Sequence, residues 1–128
     1  MTLPTTMNAF VLHHHGGMVA IRFHTDWPMP EMGVDDVLIR VGACGLNNTD
    51  VNTRSGWYSK AVTDATTGDG YDTVDTDDPS WGGAPITFPR IQGADAVGEV
   101  VATGANADAA LIGRRVMLDC WQRDWSDP

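Results

Sequence analysis

The chain has 128 residues, of which 42% are hydrophobic, and its formal net charge is −9. This length supports one domain with its own core, while the acidic balance argues against nucleic acid or an anionic membrane as a partner, because both attract clustered lysine and arginine. No apolar stretch is long enough to span a bilayer, Met1–Phe10 lacks a signal-peptide pattern, and two distant cysteines give no disulfide framework, so we expect a cytoplasmic protein.

The first predicted elements form a β-hairpin. Met7–His13 is an apolar run of strand length, and Met18–His24 alternates well enough to be a second strand. The residues between them, His14–Gly17, are typical of a turn. Two prolines in Asp26–Gly33 oppose regular strand pairing, which predicts a connecting loop there.

The next segment combines a strand with a short helix. Asp36–Cys44 is the strongest strand pattern in the chain, and Gly42 and Gly45 bracket its end, where a bulge or a close backbone approach would fit. Asn47 or Asn48 is a suitable N-cap for a helix that stops at Gly56.

The second half begins with a long stretch that has little periodicity, Ser59–Pro89. It contains six aspartates and no basic residue after Lys60, and it is predicted to be an acidic, mobile insertion loop. Strands are predicted at Gln92–Thr103 and Arg114–Asp119, with a turn between them. Short strands and one or two short helices predict a mainly β fold, either a barrel or a sandwich.

Three stretches, in this order, resemble the N-terminal domain of medium-chain dehydrogenases and reductases. Asp36–Asp50 is similar to the family's strand and turn "VLVRV.A.G(V/L)…(T/S)D". Phe88–Val101 is similar to "FP.I.G.(E/D).(A/V)G.V", and Ala102–Val116 is similar to "..G..V.....G.RV". The resemblance implies a GroES-like, partly open β-barrel, which is the substrate-side domain of enzymes that transfer hydride.

The chain departs from the zinc-dependent members of this family. Those members carry a Cys at the position of Asn47 and a His-Glu pair at the positions of Ala94 and Asp95. Zinc prefers thiolate and imidazole ligands, which Asn and Ala do not supply. Cys44 lies three residues too early and is expected to be a buried structural thiol, and Cys120 alone cannot replace a cluster of four cysteines. We therefore expect no zinc, as in the quinone reductase branch.

The resemblance also implies the site residues. Asn47 and Thr49 are the expected catalytic residues, since in zinc-dependent members the residue at Thr49 belongs to a proton relay. Asn48 and Tyr58 are expected to contact substrate, and Asp50 and Asp95 to lie behind the residues that do so. Helix capping explains Asn47 and Thr49 equally well, and the helix dipole explains Asp50; Tyr58 is alternatively an aromatic lid.

Two residue clusters invite a metal interpretation that we do not adopt. The run His13–His15 lies in a turn of a kind that is ordinary in this family. The aspartates of the insertion do not follow the EF-hand spacing of calcium ligands, and a solvated loop is the preferred interpretation.

The extent of the chain is the second departure. The family needs a Rossmann domain with a glycine-rich phosphate turn, and no G-x-G-x-x-G motif is present. We expect residues 1–128 to be a GroES-like domain that is incomplete at its C-terminus, catalytically inactive alone, and able to self-associate through an open edge beside Trp121 and Trp125.

The leading functional hypothesis is the substrate domain of a zinc-independent oxidoreductase that reduces quinones, enones or related carbonyls with NADP or NAD, bound by the full-length protein. One alternative is a free-standing GroES-like binding or assembly module. Another is a zinc-dependent alcohol dehydrogenase whose ligands lie outside this segment.

Overall fold

The structure is a computed structural model that describes residues 2–57 and 86–120. Tyr58, the predicted insertion as far as residue 85, Trp121 and Trp125 lie outside the described residues. Contacts divide the described chain into two compact units. The hairpin unit comprises residues 2–28, 47–57 and 86–92, and the sheet unit comprises residues 29–46 and 93–120.

The hairpin unit contains two antiparallel strands, β1 (Thr6–Leu12) and β2 (Ile21–Pro28). The alternation in β1 buries Ala9 and Val11 on one side, and Leu12 is buried as well. Leu12 also forms a two-way backbone bridge with Arg90, with N···O distances of 2.8 and 2.9 Å. This bridge attaches the segment after residue 85 to the end of β1.

The predicted hairpin is confirmed, but two of its boundaries were wrong. Met18–Ala20 is a 3₁₀ turn rather than the start of a strand. The second strand continues through Pro28, which pairs with Thr6 at the last position of the ladder. A proline is tolerated there because, at the end of a two-stranded sheet, its missing N–H leaves no ladder bond unmade.

The same unit holds the helix α1 (Asn48–Ser55). Asn47 is its N-cap, and Gly56 ends it in the left-handed conformation, with φ of 72°, as the sequence predicted. The helix is strongly polar, so its stability depends on its caps and on the contacts of its last turn.

The sheet unit contains three antiparallel strands in the order β3 (Val37–Cys44), β4 (Ala96–Thr103) and β5 (Arg115–Met117). Val100 is buried in β4, and a 3₁₀ turn, Ala109–Leu111, lies before β5. The register of β3 on β4 shifts between Val41 and Ala43, so of the two alternatives predicted for the end of this strand the structure shows a bulge at Gly42.

Two glycines of the sheet unit are required by close backbone approach. A Cβ on Gly98 would overlap the carbonyl oxygen of Arg40 and would lie 2.7 Å from Cγ2 of Ile39. A Cβ on Gly104 would overlap the carbonyl oxygens of Gly33 and Val34. Both glycines therefore let neighbouring chain segments approach at distances that no other residue permits.

The mainly β class is confirmed, while the predicted strand Gln92–Thr103 was four residues too long. The strand begins at Ala96, because Gln92 belongs to the hairpin unit and Gly93 has a φ of 111°, outside the extended region. The last strand is likewise shorter than the predicted Arg114–Asp119. Across the two described ranges, no helix has the length and apolar character that crossing a membrane requires.

Candidate functional site

The start of α1 carries most of the residues expected at the site. Asn47 Oδ1 accepts a hydrogen bond from the backbone N–H of Thr49 at 3.1 Å. In return, Asp50 Oδ2 accepts from the backbone N–H of Asn47 at 2.9 Å. This reciprocal pair is a capping box, and it holds the Asn47 side chain in one orientation.

The capping role of Asn47 leaves its amide donors available. Because a backbone N–H needs an acceptor, the amide oxygen must face the helix and Nδ2 must point away from it. Within residues 2–57 and 86–120, Nδ2 makes no hydrogen bond, and the residue is exposed. Capping therefore engages only the oxygen of this side chain, and it is compatible with substrate contact through Nδ2, the alternative that the sequence raised.

Thr49 and Asn48 lie beside this amide. The hydroxyl of Thr49 donates to Asn47 Oδ1 at 3.2 Å, so its proton is already engaged while its lone pairs remain able to accept. Asn48 is the first residue of α1 and is exposed. The expected residues Asn47, Asn48 and Thr49 are thus brought together at one helix end, whereas Tyr58 lies outside the described residues.

Gln92 supports this helix end, and the sequence did not predict this role. Its Nε2 donates to the backbone carbonyl oxygen of Asp50 at 3.1 Å, and its Oε1 is buried with no hydrogen-bond partner among the described residues. The only sequence feature that could have indicated this role was the polar character of Gln92 at the start of a predicted strand. Asp50 is thus held twice, through its carboxylate and through its carbonyl.

The other end of α1 is fixed to the hairpin turn. Arg54 donates from Nη1 to the carbonyl oxygen of Gly16 at 2.6 Å, and the N–H of Gly16 donates to the carbonyl oxygen of Arg54 at 2.8 Å. His15 Nδ1 lies 2.8 Å from the carbonyl oxygen of Thr53. These contacts position a helix that has little apolar surface of its own.

Asp95 lies in the sheet unit and is one of the residues that line a concavity of about 290 Å³. The backbone carbonyl of Asp95 accepts from the N–H of Gly45 at 2.9 Å, which ties the end of β3 to the start of β4. Cys44, Val97 and Met117 contribute to the same lining, which is mainly apolar. The carboxylate of Asp95 is exposed.

The expectation that Cys44 is buried was wrong, since the thiol is exposed. This exposure does not depend on the face that Cys44 occupies, because both faces of this part of the strand are exposed. Every residue of β3 from Arg40 onward is exposed within the described chain.

The residues at the zinc position do not fit that metal. The oxygen of Asn47 is already engaged by two donors, and Ala94 has no ligand atom. No group of three or more His, Cys, Asp or Glu side chains in the described part of the chain is placed to hold a metal ion.

Comparison with known proteins defines the class. The model of the alcohol dehydrogenase GroES-like domain family matches residues 33–126. The chain belongs to this family, and it is the N-terminal GroES-like type of domain found in medium-chain dehydrogenases and reductases.

Individual relatives agree with this assignment. The chain is 28% identical over 120 residues to an NAD-dependent alcohol dehydrogenase of Sulfolobus acidocaldarius, covering 94% of this chain and 28% of that protein. It is 32% identical over 73 residues to an NADPH-dependent alkenal/one oxidoreductase of Arabidopsis thaliana, covering 57% of this chain and 19% of that protein.

A solved structure from Sinorhizobium meliloti 1021, assigned as an alcohol dehydrogenase, is 42% identical to this chain with a TM-score of 0.71. The match covers 91% of this chain and 30% of that one. The chain therefore spans less than a third of the length of these relatives.

Proposed function

We propose that this domain is the substrate-side part of a nicotinamide-dependent oxidoreductase that reduces a carbonyl, enone or quinone without zinc. The observation that carries the proposal is the Asn47 side chain, whose oxygen caps α1 while its two N–H donors make no hydrogen bond to any residue that the structure describes. It stands where zinc-dependent members carry a metal ligand, and an amide donor polarises a carbonyl oxygen without a metal.

The reduction requires negative charge to develop on the substrate oxygen as hydride arrives. A bound nicotinamide would supply the hydride. Asn47 Nδ2 would donate to that oxygen, and the capping box keeps the donor in place before the reaction, so little reorganisation is needed. Asn48 is exposed next to it and is the second candidate for substrate contact.

Thr49 would assist by position rather than by donating a proton. Its hydroxyl proton is directed at Asn47 Oδ1, which polarises the amide and strengthens its N–H donors. The capped geometry at Asp50, completed by Gln92, keeps both residues at the helix end. The names of the relatives support the proposed nicotinamide cofactor and substrate class. One relative is NAD-dependent and another is NADPH-dependent by name, so either cofactor agrees with the proposal.

The test separates the two uses of the Asn47 side chain in the full-length protein. Asn47→Ser keeps a capping oxygen and removes the amide donors, whereas Asn47→Ala removes both. We expect both variants to lower kcat for enone reduction by about 10²–10³-fold, as for the loss of one oxyanion donor. Only Asn47→Ala should also cost about 1 kcal/mol of stability.

A matched control removes a cap elsewhere. Asp108 caps the 3₁₀ turn of the sheet unit, where its Oδ1 accepts from the N–H of Ala110 at 2.9 Å. Asp108→Ala should lower Tm and leave turnover unchanged. If Asn47→Ser turns over substrate at the wild-type rate, Asn47 is a helix cap only and the proposal fails.

A further inference from the structure

Two histidines that are distant in sequence meet on the hairpin unit. His13 follows β1 and His24 lies in β2, and their Nε2 atoms are 3.0 Å apart. Both side chains are half-buried. The contact joins two nitrogens that are both able to present a lone pair, and in the neutral pair one of them carries the shared proton.

The other two histidines of the chain are engaged differently. His14 Nδ1 lies 2.6 Å from the carbonyl oxygen of His15, and His15 Nδ1 lies 2.8 Å from the carbonyl oxygen of Thr53. His15 also packs edge-on against Phe88, with ring centroids 4.8 Å apart. The run of three histidines is therefore not a cluster, and only His13 converges with His24.

We propose that His13 and His24 form a two-imidazole binding site for a divalent transition metal, with copper preferred over nickel and nickel over zinc. Water would complete the coordination sphere. Both imidazoles would bind through Nε2 as neutral Nδ1–H tautomers, so the metal replaces the shared proton, which moves to Nδ1 of the same ring. No net proton is released when both rings start neutral.

The spacing selects the geometry of the metal. With metal–nitrogen bonds of about 2.0–2.1 Å, the 3.0 Å separation of the two Nε2 atoms corresponds to an angle of about 91–97° at the metal. A tetrahedral angle would need a separation of about 3.3–3.4 Å by the same bond lengths. Right angles occur between neighbouring ligands of square-planar and octahedral sites, which are typical of Cu²⁺ and Ni²⁺.

The residues around the two histidines set the protonation state of His13 and provide a tryptophan that reports metal binding by its fluorescence. The pKa of His13 lies below its usual range, first because burial disfavours the imidazolium and then because Arg22, His24 and His14 add positive charge. His13 is therefore neutral, and able to bind a metal, at neutral pH, although the charge of Arg22 opposes a cation. The Trp27 ring packs against His24 with a centroid distance of 5.2 Å.

The test is titration of the protein with CuCl₂, followed by tryptophan fluorescence and by electron paramagnetic resonance. We expect one Cu²⁺ per chain, quenching of Trp27, and hyperfine structure from two equatorial imidazole nitrogens. His24→Gln and His13→Gln should each weaken binding by about 10²-fold, because the second ligand of the chelate is lost. In Trp27→Phe, calorimetry should show unchanged binding with most of the quenching removed.

His14→Gln is the matched control, since it removes a neighbouring exposed imidazole, and it should bind Cu²⁺ like the wild type. Circular dichroism of each variant checks folding. A wild-type spectrum that lacks two equatorial imidazole nitrogens, binding that survives His24→Gln in a folded protein, or binding lost in His14→Gln would each overturn the proposal. None of these results bears on Asn47, which is tested by turnover.

Discussion

Replacing Gly98 by alanine tests how closely β3 and β4 approach. Gly98 pairs with Val41, and an added Cβ would overlap the Arg40 carbonyl oxygen and lie 2.7 Å from Ile39 Cγ2. The obstacle at Arg40 is backbone, so the side chain has no rotamer that avoids it. Relief requires the two strands to separate, which disturbs their hydrogen bonds.

The expected cost of Gly98→Ala follows from that geometry. Overpacking a well-packed site costs about 1–3 kcal/mol, and we expect the upper part of this range because the backbone must move. For a domain of about 100 residues, such a loss lowers Tm by roughly 10–20 °C. This loss of free energy is a substantial fraction of the total stability of a small domain, which is about 5–15 kcal/mol.

Gly42→Ala is the matched control in the same pair of strands. Among the described residues, a Cβ at Gly42 would meet only the Val97 carbonyl oxygen, at an ordinary 3.8 Å, and its effect should stay within about 0.5 kcal/mol. Urea denaturation of both variants, followed by circular dichroism, measures the difference. Equal midpoints for Gly98→Ala and Gly42→Ala would show that the close approach of the strands is not a real constraint.

Three further predictions concern charge and metal. The pKa of His13 is lowered in the folded protein, so the unfolded chain takes up the proton first. The free energy of unfolding should therefore fall as the pH drops from about 6.5 through the lowered pKa, and it should be unaffected above that range. Urea denaturation at several pH values should show this slope in His14→Gln and a smaller one in His13→Gln. The Arg40–Glu99 ion pair has an N···O distance of 2.8 Å but exposed side chains, so Arg40→Ala should cost less than about 1 kcal/mol in thermal denaturation; a larger loss would contradict this. A protein carrying both His13→Gln and His24→Gln should retain no stoichiometric zinc in elemental analysis, and one zinc per chain would mean that other residues bind it.

The start of α1 was predictable because its determinants are local. Asn47 caps the helix and Gly56 ends it through interactions with residues only a few positions away. Such short-range rules act on the sequence directly. The bulge at Gly42 was predictable for a similar reason, since glycine in a strand pattern marks an interrupted ladder.

The contacts that the sequence did not reveal are long-range. The meeting of His13 and His24 depends on the register of the hairpin, and periodicity alone does not fix that register. Gln92 reaches Asp50 across 42 positions of sequence. The exposure of Cys44 depends on how little of the chain covers the second half of β3, where both faces are exposed among the described residues, and the strand pattern does not report this.

The central claim is that this family member orients its substrate with an amide rather than with zinc. The most direct measurement is NADH- or NADPH-dependent reduction of an enone and a quinone by the full-length protein, before and after exhaustive treatment with a zinc chelator. We expect turnover that the chelator does not change and that added zinc does not raise. Activity that is lost with the metal and restored by stoichiometric Zn²⁺ would contradict it.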